Sequence, residues 1–598
     1  MKKTNRILSF FLALILLIVP LCGSLAIKAE AAGSWTCAWA TSTVDSAVAL
    51  SRFSIQDIIP SRSTLRIELK VTTGGERLKF KFSNEYGAAA ITINAASVAR
   101  TDGEGTAKVK AGSMATITFG GQAKVTVPAG KTVWSDEINY VTRSLESLSV
   151  SMYFDNPTYI TTAGLSNART FMGMSSLVNP EYSQVYNEKI ARPREVNLSS
   201  ADITYHTTPF LCEIDTFNSS VIKNTAVFIG DSTLVNDAYY YFAERLVKSG
   251  ITNVSVVNEA IVANKLLSDG TGLIGNLYGD ALIERFERDA LSIKGVKWVF
   301  VKIGLNDILH QFSKSMGSDV PHYSSADIIN GYKKLVEMAH AKGIKIYFFT
   351  KTPWKGYERA FLGQTGDVVW NTEMQKMCDE LDSWIKSNNI ADGYIDCWDL
   401  ANPADPYALC PSFTPDGAHL TKPASIALAD LIPVSYVGVN QNVYTSASLN
   451  NIDPYKEKNQ IIYDMEHTTE EATTAPAESN KNETTTSKTE ETTAKPEKPT
   501  LYGEVTTGAA ASGEFTTIPE FTYVAGENVT VPVIGEAAGT QKYTNLGVSP
   551  DYSVLDNLPE SKQSGSTIMY MLILFTVVTV SGAALFMSMG RKKEGDFE

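Results

Sequence analysis

At 598 residues the chain is longer than one hydrophobic core usually holds, so two or more domains plus tails are expected, and an apolar content of 44% is ordinary for a globular protein. A formal charge of -13 argues against a nucleic-acid-binding surface, which would carry a basic stripe.

The chain opens with Lys2, Lys3 and Arg6, then an apolar run from Ile7 to Leu21, then Ala29-Glu30-Ala31-Ala32. This order predicts a secretory signal over residues 1–32, removed on export. From Trp35 to about Tyr205, short alternating segments are punctuated by Gly, Pro and Asn. Leu65–Val71, Leu78–Ser83, Ala115–Phe119 and Leu148–Tyr153 are examples, each with one apolar and one polar face. Period-two alternation predicts an N-terminal β-sandwich over 33–210.

From about Thr225 the rhythm becomes strand, then helix, repeatedly. Strands are predicted at Val227–Ile229, Val254–Val257, Trp298–Ile303, Ile344–Phe349 and Tyr394–Ile395. Helices are predicted at Val235–Val247, Ala281–Leu291, Ser325–Ala341, Asn371–Lys386 and Pro423–Leu431. Such alternation over 220–436 predicts a three-layer α/β domain with a parallel sheet, whose ligands bind off the carboxyl ends of the strands.

Residues 437–566 are read as a linker, largely disordered, because Thr, Glu, Lys, Ala and Pro dominate Thr468 to Thr500 and bury little apolar area. The apolar run at 567–589 is long enough to cross a bilayer and precedes Arg591-Lys592-Lys593. Basic residues on that flank put the tail, 590–598, in the cytoplasm, and predict a single-pass anchor with the rest outside. Leu558-Pro559-Glu560-Ser561-Lys562 resembles a wall-sorting pentapeptide but lacks its Thr-Gly pair, which argues against covalent wall attachment. Beyond the signal, Cys37, Cys212, Cys378, Cys397 and Cys410 show no metal-ligand spacing, so no metal or cofactor is expected. A Cys397–Cys410 disulfide is compatible with export.

Three motifs fall at predicted strand ends or before the last helix: Gly230-Asp231-Ser232, Gly304-Leu305-Asn306-Asp307 and Asp416-Gly417-Ala418-His419. A serine needs a base to attack, the base needs an orienting carboxylate, and the developing oxyanion needs donors. Asp416 and His419, three apart, can face each other across a turn, and Asn306 offers an amide donor.

On these motifs the chain resembles the SGNH (GDSL-type) hydrolase superfamily, and its flavodoxin-like fold is implied. The resemblance extends to Leu282–Leu291, Trp35–Trp39, Phe82–Gly87 and Trp134–Asp136, as in secreted members with an N-terminal β-domain. It implies Ser232 as nucleophile, His419 as base, Asp416 as its orienting acid, and an oxyanion hole from Ser232, Ala263 and Asn306. Ala263, in Asn258-Glu259-Ala260-Ile261-Val262-Ala263-Asn264, stands where the family has a glycine. Its N–H is unstrained as a donor at a negative φ and strained at a positive one.

Trp354, with Tyr357 and Phe361, is expected near the cleft mouth, and His310 is expected to line the pocket as a substrate contact. The implied activity is hydrolysis of carboxylic esters on the outer face of the membrane, with an acylated polysaccharide as the expected substrate. Lipid or lysophospholipid esters are the alternative within the class; a surface carbohydrate-binding protein with an inactive hydrolase-like domain is the alternative outside it.

Overall fold

The alternating segments of the N-terminal region pair into antiparallel sheets in the computed structural model, which describes residues 33–46, 58–166, 168–174, 195–197, 204–270, 275–313, 320–357 and 370–474. The signal, the expected anchor and most of the linker lie outside these residues. Among the described residues, no helix is long and apolar enough to cross a membrane.

One sheet runs in the order Ser34–Ala40, Leu211–Asn218, Arg77–Asn84, Lys131–Trp134. A second runs Arg169–Met174, Ser63–Lys70, Ser147–Phe154, Ala95–Arg100, Ala115–Ile117. Leu78, Phe80 and Phe82, alternate residues of one strand, share a buried core with Leu65, Ile67 and Leu69 from the other sheet. The period of two therefore turns one face of each strand inward. The strand Leu211–Asn218 lies past the expected boundary at 210, yet it pairs with both the first strand and Arg77–Asn84. The β-rich region accordingly ends at Asn218.

The parallel sheet runs Val254–Asn258, Asn224–Gly230, Val296–Lys302, Lys345–Phe349, Gly393–Ile395. This is the doubly wound order 2-1-3-4-5. Successive strand residues point to opposite faces: Phe228, Phe300 and Phe349 enter one core with Phe242, while Val227, Val299 and Phe348 enter another with Leu335 and Leu381. The β-rich region lies along the edge strand Val254–Asn258, where the Ser255 hydroxyl donates to the Cys37 carbonyl at 2.5 Å.

Two expectations are corrected. Residues 446–461 do not belong to a disordered linker, because the helix Ser446–Asn450 and the start of the helix Lys456–Thr474 pack on the core of the parallel-sheet domain through Ala447, Ile452, Tyr455 and Ile461. Tyr455 sits edge-on to Phe413 at 5.8 Å, and the Asp430 carboxylate accepts from the N–H groups of Ser446 (2.6 Å) and Ala447 (3.0 Å). Cys397 and Cys410 are free thiols, as are the other three cysteines among the described residues; the Cys410 thiol points to Glu457 instead.

Candidate active site

The strand Asn224–Gly230 ends where Gly230 passes against Lys302. A Cβ at Gly230 would stand 1.9 Å from the Lys302 carbonyl oxygen, so only glycine lets the two strands close this tightly. The next turn is tied by the Asp231 carboxylate, which accepts from the Thr233 N–H (3.0 Å) and hydroxyl (2.7 Å). The buried Lys302 ammonium donates to the same hydroxyl at 2.6 Å and to that of Thr352 at 3.3 Å. Burial pulls the Lys302 pKa below its ordinary value.

Ser232 is thus presented at the carboxyl edge of the sheet, where it meets the turn before the helix Lys422–Leu431. Its hydroxyl lies 2.9 Å from His419 Nε2, and His419 Nδ1 lies 2.6 Å from Asp416 Oδ2. The other Asp416 oxygen accepts from the N–H groups of Ala418 (3.1 Å) and His419 (2.9 Å). Burial alone would raise the Asp416 carboxyl, but the hydrogen bonds and charge of His419 and these two N–H groups outweigh it and hold the carboxyl below its ordinary value. Gly417, at φ +94°, brings the turn against the Tyr357 backbone, and the Tyr357 ring stands edge-on to the imidazole at 5.8 Å. Two segments far apart in the chain therefore align an alcohol with an imidazole and its carboxylate.

Asn306 is the second residue of a short helix, Leu305–Gln311, after Gly304 turns the chain at φ +98°. Its side-chain amide donates to the Asn264 carbonyl at 3.2 Å, which puts it beside Ala263. Ala263 adopts φ +56°, the strained alternative for a residue with a Cβ.

That strain is held by neighbours. The Asn264 amide donates to the carbonyls of Tyr278 (2.7 Å) and Asp280 (2.8 Å), and its oxygen accepts from Arg285 at 3.0 and 3.2 Å. Asp307 accepts from the N–H groups of Leu266 (2.8 Å) and Leu267 (3.0 Å), pinning the same loop rather than capping its own helix. Burial pushes the Asp307 carboxyl up to about 6.

Arg285 is fully buried and also donates to the carbonyls of Gly230 (3.2 Å) and Glu259 (2.8 Å) and to Asp289 (3.1 Å). The β-rich region closes this network: Ser42 lies within hydrogen-bond distance of Arg285 (2.9 Å), the Glu259 carboxylate (2.7 Å) and Asp289 (3.0 Å). None of Ser42, Asn264, Arg285 or Lys302 was singled out by sequence reasoning. A signal for Arg285 exists, since it shares a helical face with Leu282 and Asp289, three before and four after.

Two expected substrate contacts are corrected. Trp354 is buried in the core under the sheet rather than at the cleft mouth, and His310 is fully buried with its ring 5.7 Å from that of Tyr278. Their loop and helix turn inward after the strand ends, which periodicity does not report. Phe361 lies outside the described residues. The fold also gathers Cys37, Glu213 and Asp215, with ligand-type atoms within 4.8 Å of one another. Lys81 and Lys79 already pair with the two carboxylates, at 3.0 and 3.3 Å, so the charge there is balanced without an ion.

Residues 226–432 match the family described as GDSL-like Lipase/Acylhydrolase. Among solved structures, a GDSL-like lipase from Bacteroides thetaiotaomicron is similar at 17% identity, covering 36% of this chain and 88% of that one, with a TM-score of 0.25. The acetylxylan esterase Axe2 from Geobacillus stearothermophilus is similar at 17% identity over 37% of this chain and 96% of that one, with a TM-score of 0.27. Among curated proteins none matches.

Proposed function

We propose, from the premise that residues 226–432 form a GDSL-like lipase/acylhydrolase domain, that this chain is a serine esterase whose Ser232 is acylated by its substrate and released by water. The observation that carries this reading is the unbroken relay Ser232–His419–Asp416, at 2.9 and 2.6 Å. His419 Nε2 takes the Ser232 proton as the oxygen attacks the ester carbonyl, while Asp416 keeps Nδ1 protonated and steadies the imidazolium that forms. The N–H groups of Ser232 and Ala263 and the Asn306 amide receive the oxyanion. His419 then gives the proton to the departing alcohol and, in the second half, activates water against the acyl-serine.

The substrate we favour is an acetylated carbohydrate outside the cell, the protein being held there by the anchor at 567–589 after loss of residues 1–32. Support for the location is the charge pattern at the two ends of the sequence. Protease shaving of intact cells, followed by membrane fractionation, tests it: digestion of the ectodomain with a membrane-bound remnant is expected, and a protected, soluble protein contradicts it.

For the chemistry, the full chain is expected to hydrolyse p-nitrophenyl acetate and to release acetate from acetylated polysaccharide. Asn306→Ala is expected to lower kcat by roughly 10²-fold with little change in KM, as for one lost oxyanion donor. A folded wild-type chain inert toward both esters contradicts the reading.

A further inference from the structure

A cleft of about 480 Å³ opens where the β-rich region meets the hydrolase domain, with no role in the relay described above. Its size falls within the roughly 300–1,000 Å³ of small-ligand sites. Tyr239 and Tyr240, in the first turn of the helix Ala238–Lys248, line it from the hydrolase side, and Trp39 lines it from the other. Among the described residues, none hydrogen-bonds the phenol of Tyr239 or Tyr240. Four carboxylates (Glu68, Glu104, Asp237, Glu244) face three cations (Lys70, Arg169, Lys422), and one of these pairs, Lys70 with Glu104, is closed at 2.7 Å.

This lining selects by chemistry. A near balance of charge gives a polyanion no net attraction, and an acyl chain would strip water from charged groups without returning hydrogen bonds. A neutral polyol suits it: hydroxyls exchange hydrogen bonds with phenols, carboxylates and ammonium groups, and ring C–H groups lie against the tyrosine rings, of which Tyr240 carries the Lys70 ammonium over one face at 4.9 Å. The hydrolase wall of the cleft is drawn from the chain just after the two catalytic segments. Asp237 and Tyr239 follow Ser232 by five and seven residues, and Lys422 follows His419 by three. A small adjoining cavity is lined by Trp39, Tyr239, Asn258 and Ala260.

We propose that this cleft binds a neutral oligosaccharide, with the β-rich region supplying one wall and the hydrolase domain the other. The site rests on the esterase reading only for its link to turnover, where it holds the sugar whose ester Ser232 attacks.

The test titrates the full chain carrying Ser232→Ala with xylohexaose, cellohexaose and mannohexaose, with hexagalacturonate as an anion and lysophosphatidylcholine as a lipid, by calorimetry. Saturable binding of at least one neutral hexaose is expected, weakened about tenfold or more in Tyr240→Ala, the loss of one stacking and hydrogen-bonding contact. Lys422→Ala, at an exposed position, serves if Tyr240→Ala does not fold. With Ser232 restored, Tyr240→Ala is expected to depress kcat/KM for the acetylated oligosaccharide more than for p-nitrophenyl acetate. Failure of all three neutral hexaoses to bind, binding indifferent to both substitutions, or preferential binding of the anion or the lipid overturns the proposal. A wild-type chain that binds the hexaose through Tyr240 yet leaves p-nitrophenyl acetate intact supports the cleft and overturns the esterase reading instead. Hydrolysis of that ester without hexaose binding does the reverse.

Discussion

Ala263 shows how one side chain sets a testable strain. An alanine in the left-handed region costs about 1–2 kcal/mol relative to an ordinary angle, and glycine there pays only its larger chain entropy, about 0.5–1 kcal/mol. Ala263→Gly is therefore expected to leave the melting temperature unchanged or slightly raised and to keep kcat, since the N–H keeps its direction. A clear drop in melting temperature contradicts the +56° angle. Asp307 offers a second residue-level test. Its folded carboxyl titrates at about 6 against an ordinary value near 4, so the folded state holds the extra proton between those limits. Stability then falls as pH rises from about 4 to about 6, by up to roughly 3 kcal/mol from this group, and is level above that. Melting temperatures of Asp307→Asn across this range are expected to decline less with pH than those of the parent; parallel curves contradict it.

At the scale of elements, the network around Arg285 joins the strand that carries Ser232, the loop that carries Ala263 and the β-rich region. Removing the Ser42 hydroxyl leaves one of the buried carboxylates of Glu259 and Asp289 short of a donor, at a cost of about 1–3 kcal/mol. Ser42→Ala is expected to lower the melting temperature and also kcat on p-nitrophenyl acetate, with KM little changed, because the Asn264 anchor loosens. Unaltered melting and kcat together contradict the coupling. Such a network is hard to read from sequence, since Glu284-Arg285-Phe286-Glu287-Arg288-Asp289 looks like a solvated helix face. Repeating patterns were legible: the alternation at Leu148–Tyr153 and the apolar run at Trp298–Ile303 lie within a residue or two of the strands Ser147–Phe154 and Val296–Lys302. The relay was legible too, because Ser232, Asp416 and His419 sit in short motifs whose spacing reflects local turns. Trp354 was misplaced because a strand's end says nothing of where the following loop goes. The helices of 446–474 were missed because only scattered residues, such as Ala447, Ile452 and Tyr455, carry their apolar contacts.

For the whole molecule, the buried seam makes the β-rich region part of the hydrolase rather than a module on a tether. Ser255 bonds Cys37 and Ser42 bonds Glu259 across it, and parting the two regions exposes the charges of Arg285 and Asp289 to water on one side only. Residues 219–474 expressed alone are expected to aggregate or to melt well below the full chain, with p-nitrophenyl acetate hydrolysis lost. A stable, fully active fragment contradicts an integral seam. The central claim, that the hydroxyl of residue 232 is the nucleophile, is tested most directly by reacting the full chain with a fluorophosphonate and mapping the adduct by peptide mass. One phosphonylated peptide is expected, carrying the label on Ser232 and vanishing in Ser232→Ala. A folded chain that takes no label, or takes it on another residue in both proteins, contradicts it.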